Sequence, residues 1–158
     1  MKTKFRSDML QHADLKILSH LRKNARETLT RVSRDTGIPV SSVFDRLKRM
    51  EAIGVINRHS SLVDPEKIGI SVRVILHIKT NGNNQKGELE KWLAINPHVN
   101  NLAKINGEWS LMVEAWFRNI KDLEEFMEKF HNDFKEIAFS VHHVMKDLKR
   151  ESFLLDYE

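Results

Sequence analysis

The chain of 158 residues lacks two features that would define its class, cysteine and a long apolar run. Without cysteine there can be no disulfides, no thiol chemistry and no cysteine-based zinc sites, and this fits a reducing cytoplasm. A membrane-spanning helix needs a run of about 18 or more apolar residues, so none is expected. The start, residues 1–6, is basic, but no apolar segment follows it, and we therefore expect no signal peptide.

A metal or catalytic pattern is also missing. The eight histidines show no i, i+4 pairing, and His142 and His143, adjacent in a predicted strand, should point to opposite faces. We therefore interpret the histidines as solvated or core residues and expect neither a metal ion nor a cofactor. No Ser-His-Asp set or pair of carboxylates can be argued from spacing, so the sequence does not predict an enzyme.

Charge divides the chain into two halves. Residues 1–60 hold 13 Lys and Arg against 6 Asp and Glu, a net of +7, and residues 61–158 hold 13 against 16, a net of −3. These basic residues could simply solvate a surface. Together with the motif described next, they indicate instead that the first half binds a polyanion.

The most informative stretch runs from Thr28 to Ile56 and predicts two helices joined by a tight turn. Thr28 is placed to cap the first helix, and Gly37 supplies the left-handed residue that ends it. After Ile38-Pro39 a second helix is predicted over about residues 40–52, a spacing typical of a helix-turn-helix. With a preceding helix, the predicted three-helix core comprises Leu15, Leu18, Leu21, Leu29, Val32, Ile38, Val43, Leu47, Met50 and Ile53. Residues 55–58 are expected to start a strand that could form a wing.

The outer face of the second helix carries a cationic, hydrogen-bonding set of residues that suits a DNA major groove. We expect the DNA contacts to come from this face and from the first helix of the motif: Thr28, Arg31, Ser41, Ser42, Asp45, Arg46, Lys48 and Arg49. Of these, Arg46 is expected to read a base edge, while Thr28 and Arg31 are expected to touch phosphates. The alternatives are solvated arginines bonded to Asp45 or Glu51, and serines that only cap the helix.

The remaining chain predicts the order strand-helix-strand-strand-helix-strand. Strands are expected over residues 71–80, 99–105, 109–117 and 136–145, and helices over 87–95 and from Asn119 onward. This order is that of a ferredoxin-like sandwich, in which helices cover only one face of the sheet. Large apolar residues on the other face imply a partner, most simply a second copy of the chain. We expect that interface to include Ile75, Met112, Trp116 and Val144.

These segments resemble the Lrp/AsnC family of prokaryotic transcription regulators. The resemblance rests on residues 14–18, 28–43 and 46–56, and on the Val-Asp-Pro-Glu-Lys-Ile-Gly segment at 63–69. It implies an α+β chain with an N-terminal, winged helix-turn-helix domain followed by a ferredoxin-like βαββαβ domain. It also implies a regulator that binds double-stranded DNA with sequence preference, dimerises through the second domain and often forms higher oligomers.

The family resemblance also places an effector site near Gly107, Glu108 and Ser110. Family members usually carry Gly-x-x-Asp here, beside the site where an amino acid binds between dimers, and this chain has Ser110 in place of the Asp. A neutral hydroxyl cannot attract an α-ammonium group as a carboxylate does. We therefore expect common amino acids to bind weakly or not at all, while another small-molecule effector stays open.

Two alternative functions share much of this pattern. A nucleoid-architecture protein that wraps DNA with weak sequence preference would show every feature above. Siroheme decarboxylases resemble the same fold, with an aromatic-Asn-x-Trp-Phe stretch in the third strand, and this chain has Trp116-Phe117 but lacks the Asn after Trp109. We expect a cytoplasmic regulator with a DNA-binding domain at 1–60, a connector at 61–70, an assembly and effector domain at 71–150 and a tail at 151–158.

Overall fold

The computed structural model describes residues 10–80 and 85–154, which form two compact units. The first unit comprises the described residues up to 62 together with 149–154, and the second comprises those from 63 to 148. No helix in these described ranges is long and apolar enough to cross a membrane.

The first unit is a bundle of three helices: α1 His12–Lys23, α2 Leu29–Thr36 and α3 Val40–Ala52. Its core is centred on four fully buried side chains: Ile17, Val32, Val43 and Met50. Two sequence-based expectations about this core are wrong. Ile53 is exposed, and Leu15 lies outside the core cluster, because α1 turns Ile17 inward instead.

The predicted wing strand is also wrong, because residues 55–60 have no regular secondary structure. The backbone N–H groups of Val55 and Ile56 donate to the carbonyl of Met50, which folds the chain back on the end of α3. A strand requires a neighbouring strand to pair with its backbone groups. The described part of the first unit supplies none.

The second unit is a four-stranded antiparallel sheet with helices packed on one face. A single 3-10 turn, Glu66–Ile68, precedes the elements β1 Val72–Lys79, α4 Lys86–Ile95, β2 Val99–Lys104, β3 Leu111–Phe117, α5 Ile120–Asp133 and β4 Ala138–His143. The strand order is β2-β3-β1-β4, as in a ferredoxin-like fold, so the predicted α+β class is confirmed.

Alternation along the strands explains the core of this unit. Val74, Leu76 and Ile78 of β1 are fully buried against apolar residues of α4 and α5, among them Leu89 and Phe130. The last strand is shorter than the predicted 136–145. Trp109 also differs from its predicted place in β3: it precedes the strand, half-buried, with its ring centroid 6.0 Å from that of His77.

Candidate nucleic-acid interface

The turn between α2 and α3 has the geometry that its sequence predicts. The Thr28 hydroxyl caps α2 by accepting a hydrogen bond from the backbone N–H of Arg31 at 3.2 Å. Gly37 ends α2 at a φ of +72°, a conformation that costs glycine little. Three residues, Gly37 to Pro39, separate the two helices, so α3 starts at once in a new direction.

Helix α3 has one face in the core and the opposite face in solvent. Val43 and Met50 are fully buried, which turns the other side of the helix outward. Ser41, Asp45 and Lys48 lie at the centre of that outer side and are exposed. They present hydroxyl, carboxylate and ammonium groups, the kinds of donor and acceptor that recognise base edges and phosphates.

Arg46 lies at the border between these two faces and is engaged by α1. Its Nη1 donates to Asp14 Oδ1 at 2.9 Å, and its Nη2 donates to Gln11 Oε1 at 2.8 Å. The expected alternative partners, Asp45 and Glu51, are not those that it uses. A base contact by Arg46 stays a prediction, and it would have to use the guanidinium donors that α1 leaves open.

Asp14 holds a second arginine of α3 as well. The carboxylate is fully buried, and its Oδ2 accepts from Arg49 Nη2 at 2.5 Å and from the backbone N–H of Gln11 at 2.7 Å. Burial alone would raise the pKa of Asp14, but the hydrogen bonds from Gln11, Arg46 and Arg49 hold it below its usual value. The buried carboxylate is therefore ionised and joins α1 to α3.

In the sequence Asp14 indicates only the acidic start of a helix, so sequence reasoning missed this arrangement. The residue does act there, as its bond to the Gln11 N–H shows. No pattern in the sequence indicated that it is also buried under two arginines more than thirty positions away.

The first helix of the motif presents Thr28 and Arg31 at the surface. Arg31 Nε lies 3.2 Å from Glu27 Oε1 and 3.8 Å from Asp35 Oδ2, so its charge is shared with one carboxylate just before α2 and one on it. Exposed pairs of this kind are weak, and a phosphate can replace them at little cost.

Phe44 is a further exposed residue of α3 that the sequence analysis did not select. The residue is 46% exposed, and Lys48 Nζ lies 5.9 Å from the centroid of its ring. An exposed aromatic ring beside the cationic face can contact a thymine methyl group. Its position between Val43 and Asp45, at the edge of the outer face, could have indicated this from helical geometry alone.

The loop between β2 and β3 borders an open cavity of about 330 Å³ in the second unit. Gly107 and Ser110 line this cavity together with Glu90 and Lys104, whereas Glu108 does not. The Ser110 hydroxyl accepts from the backbone N–H of Thr80 at 3.1 Å, and Lys104 Nζ lies 2.8 Å from Glu90 Oε2. Two of the three predicted effector residues therefore share a cavity.

The sheet face without helices carries the four predicted interface residues. The register places Met112 opposite His77 and Trp116 opposite Arg73, so these side chains share one face with Ile75. Val144 follows β4 and donates its backbone N–H to Arg73 at 2.9 Å. Ile75, Met112, Trp116 and Val144 are all half-buried in the single chain.

This face also contains a charged network that alternation alone did not reveal. Glu114 is buried at its centre, where its Oε1 forms an ion pair with Arg73 Nε and its Oε2 accepts from the side-chain amides of Asn100 and Asn101. Although burial raises the pKa of Glu114, these contacts bring it below its usual value. Arg73 also stacks 5.1 Å from the Trp116 ring centroid. No group of three metal-ligating side chains occurs within residues 10–80 and 85–154.

Comparison with protein families identifies both units. Residues 10–57 match the model of a winged helix-turn-helix DNA-binding domain, and residues 73–153 match that of the Lrp/AsnC ligand-binding domain. The chain belongs to the Lrp/AsnC family of transcription regulators. Its resemblance to that family and its identification as a DNA-binding regulator are thereby confirmed.

Relatives and solved structures agree with this assignment. An uncharacterized HTH-type transcriptional regulator of Pyrococcus furiosus is 30% identical over 79% of this chain and 82% of its own length. The glutamate uptake regulatory protein of Zymomonas mobilis is 27% identical over 92% and 90%. A Neisseria meningitidis regulator solved with L-Met is 20% identical, with a TM-score of 0.82 over 89% of this chain and 93% of that one. E. coli AsnC has a TM-score of 0.80 at 19% identity, over 90% and 96%.

Proposed function

We propose that this Lrp/AsnC regulator acts as a homo-oligomer that reads duplex DNA with the outer face of α3. The observation that carries the proposal is the exposure of Ser41, Asp45 and Lys48 on the side of α3 opposite its buried residues. A helix of this size fits the major groove, and these side chains can distinguish base edges. Because Lrp/AsnC regulators are prokaryotic and prokaryotic DNA lies in the cytoplasm, we infer that the protein acts there.

Within the interface we assign two kinds of contact. Ser41, Ser42, Asp45 and Lys48 face the bases, with Arg49 beside them. Thr28 and Arg31, at the start of α2, contact phosphates and fix the register. Arg46 supports the recognition helix from its α1 side, because two of its guanidinium nitrogens already bind Asp14 and Gln11.

We infer that a second copy of the chain covers the helix-free sheet face. Ile75, Met112, Trp116 and Val144 lie on that face or at its border, around the neutralised Glu114–Arg73 pair, so their burial would not strand an unpaired charge. Two linked chains would present two copies of α3 to the DNA, and each half-site would raise the effective concentration of the other.

An effector other than a common α-amino acid is proposed for the cavity beside Gly107. Ser110 already accepts a hydrogen bond there, and the Glu90 carboxylate is paired with Lys104, so the described lining leaves little negative charge for an α-ammonium group. Thermal unfolding with each of the twenty amino acids at millimolar concentration tests this. A stabilisation of about 2.7 kcal/mol would require a Kd near one hundredth of the ligand concentration and would refute it.

Regulation of transcription, and not catalysis, is the activity that the family relatives support. The experiment that tests the proposal is selection of bound duplexes from a random pool, followed by footprinting on the enriched sequence. A short protected site with two-fold symmetry supports a sequence-reading oligomer. Continuous protection with no enriched sequence would favour the nucleoid-architecture alternative.

A further inference from the structure

The C-terminal segment, residues 149–154, is part of the DNA-binding unit, although it follows the second unit in the chain. Arg22, near the end of α1, binds this segment through hydrogen bonds. Arg22 Nη2 donates to the Glu151 carboxylate at 3.0 Å and to the Glu151 carbonyl at 2.9 Å. Arg22 Nε donates to the Phe153 carbonyl at 3.2 Å. A single guanidinium therefore binds three oxygens of the tail.

Glu151 lies in an open cavity of about 690 Å³ whose other charged residues are basic. The cavity is bordered by the end of α1, the turn before α2 and the segment after α3. Its basic residues are Arg22, Lys23, Arg26, Arg58 and His59. Within the part of the chain that the structure describes, Lys23, Arg26 and Arg58 make no ion pair, and His59 pairs with Glu51, which does not line the cavity. Glu151 is therefore the one carboxylate among the described residues that line it.

We propose that this cavity binds a backbone phosphate of duplex DNA, and that the Glu151 carboxylate takes the phosphate's place in the free protein. A carboxylate and a phosphate oxygen offer the same kind of acceptor to a guanidinium, and arginine binds both through parallel hydrogen bonds. The phosphate brings more acceptors and can engage the neighbouring Arg26 and Arg58, which Glu151 leaves unpaired.

Two observations favour DNA over a free phosphate ion as the occupant. The cavity is open and its cations are exposed, whereas a small anion is usually enclosed by its site. Its wall also includes residues 55–62, a short distance after the end of α3, so the site belongs to the same unit as the recognition helix. Contacts to backbone phosphates beside a recognition helix set register and add affinity without sequence preference.

The tail is then an intramolecular competitor of DNA. Before a phosphate can enter, Glu151 has to leave Arg22, and the exposed ion pair sets the size of this penalty. Pairs of this kind correspond to about a two- to fivefold change in an equilibrium constant. Loss of the competitor should therefore strengthen binding to every duplex by that factor, whatever its sequence.

The experiment measures the affinity of Glu151→Gln for a random-sequence duplex at several salt concentrations. Glu128→Gln, on an exposed turn of α5 in the other unit, is the control because it changes net charge equally. We expect Glu151→Gln to bind about two- to fivefold more tightly. The slope of log affinity against log salt should steepen by up to about 0.9, the value for one phosphate. Glu128→Gln should leave the slope unchanged.

A double-mutant comparison localises the effect. In an Arg22→Gln background, the gain from Glu151→Gln should vanish, because the cation that both anions share is gone. An equal gain from Glu151→Gln and Glu128→Gln, or a gain that persists without Arg22, would overturn the proposal. Inorganic phosphate that stabilises Glu151→Gln at constant ionic strength, with no change in the DNA salt slope, would show a free-phosphate site and would also overturn it.

Discussion

The fully buried carboxylate of Asp14 on α1 binds the guanidinium of Arg46 on α3 at 2.9 Å, and so ties the recognition helix to its scaffold. Arg49 binds the other carboxylate oxygen. The orientation of the recognition helix therefore depends on a charge that lies outside the DNA-contacting face.

Substitution of Asp14 by Asn should destabilise the fold. The amide keeps the size of the side chain but removes the negative charge that two arginines share. Because those arginines are partly exposed, we expect a loss of about 1–3 kcal/mol in the free energy of unfolding. Denaturant unfolding measures it, with Asp45→Asn on the exposed face of α3 as control. A variant as stable as the parent would show that the buried pair contributes nothing.

Lowering the pH should remove the stabilisation that the ionised Asp14 carboxylate contributes. The pKa of Asp14 is lower in the folded chain than in the unfolded chain, so its stabilisation is present in full above the unfolded value of about 3.9. It is lost as pH falls through the folded value, where both states become protonated. The stability difference between the parent and Asp14→Asn should therefore be constant from pH 7 to about 5 and shrink below about pH 4. A stability difference between the two proteins that grew as the pH fell would contradict a pKa lowered by folding.

The positions of α2 and α3 could be predicted from the sequence because local signals mark their ends. Thr28 and Gly37 bound α2, and α3 runs from the residue after Pro39 to Ala52, as predicted. These signals act over a few residues, through capping hydrogen bonds and backbone conformation. Because proline and glycine mark the turns, the helix-turn-helix could be predicted without any tertiary information.

The charged contacts could not be predicted in this way, because they join distant residues. Asp14 occupies a buried position of α1 that an apolar pattern assigns to a hydrophobic residue, and this shifted the predicted core toward Leu15 and away from Ile17. Glu114 lies on the helix-free face, where alternation places polar residues, yet it is buried among Arg73, Asn100 and Asn101. Periodicity cannot show that a charged residue is buried, because its burial depends on distant partners.

Asp45 should determine specificity, since a carboxylate at the centre of the DNA-facing surface repels phosphates unless it accepts from a base. Asp45→Asn should strengthen binding to random duplexes and reduce the preference for a selected site by about 1–3 kcal/mol. Fluorescence anisotropy on both duplexes measures this, with Glu128→Gln on α5 in the other unit as a charge-matched control. Arg46→Ala should weaken both duplexes alike, and a loss confined to the selected site would show that Arg46 reads a base.

Met112→Glu should prevent assembly, because it places a charge on the sheet face that we assign to a second copy. Sedimentation should then show monomers. Affinity for a duplex with two half-sites should fall by 10²-fold or more, since linking two binding modules raises affinity by about 10²–10⁴-fold. Ile95→Glu, at an exposed position at the end of α4, should leave both properties unchanged. A parent protein that sediments as a monomer would refute the proposed interface.

The most direct test of the whole account is the affinity of the intact protein for its selected duplex compared with a scrambled duplex of equal length and at the same salt concentration. A regulator that reads bases with α3 should bind the selected duplex about 10³-fold or more tightly than the scrambled one. Equal affinities for the two duplexes would contradict sequence reading by α3.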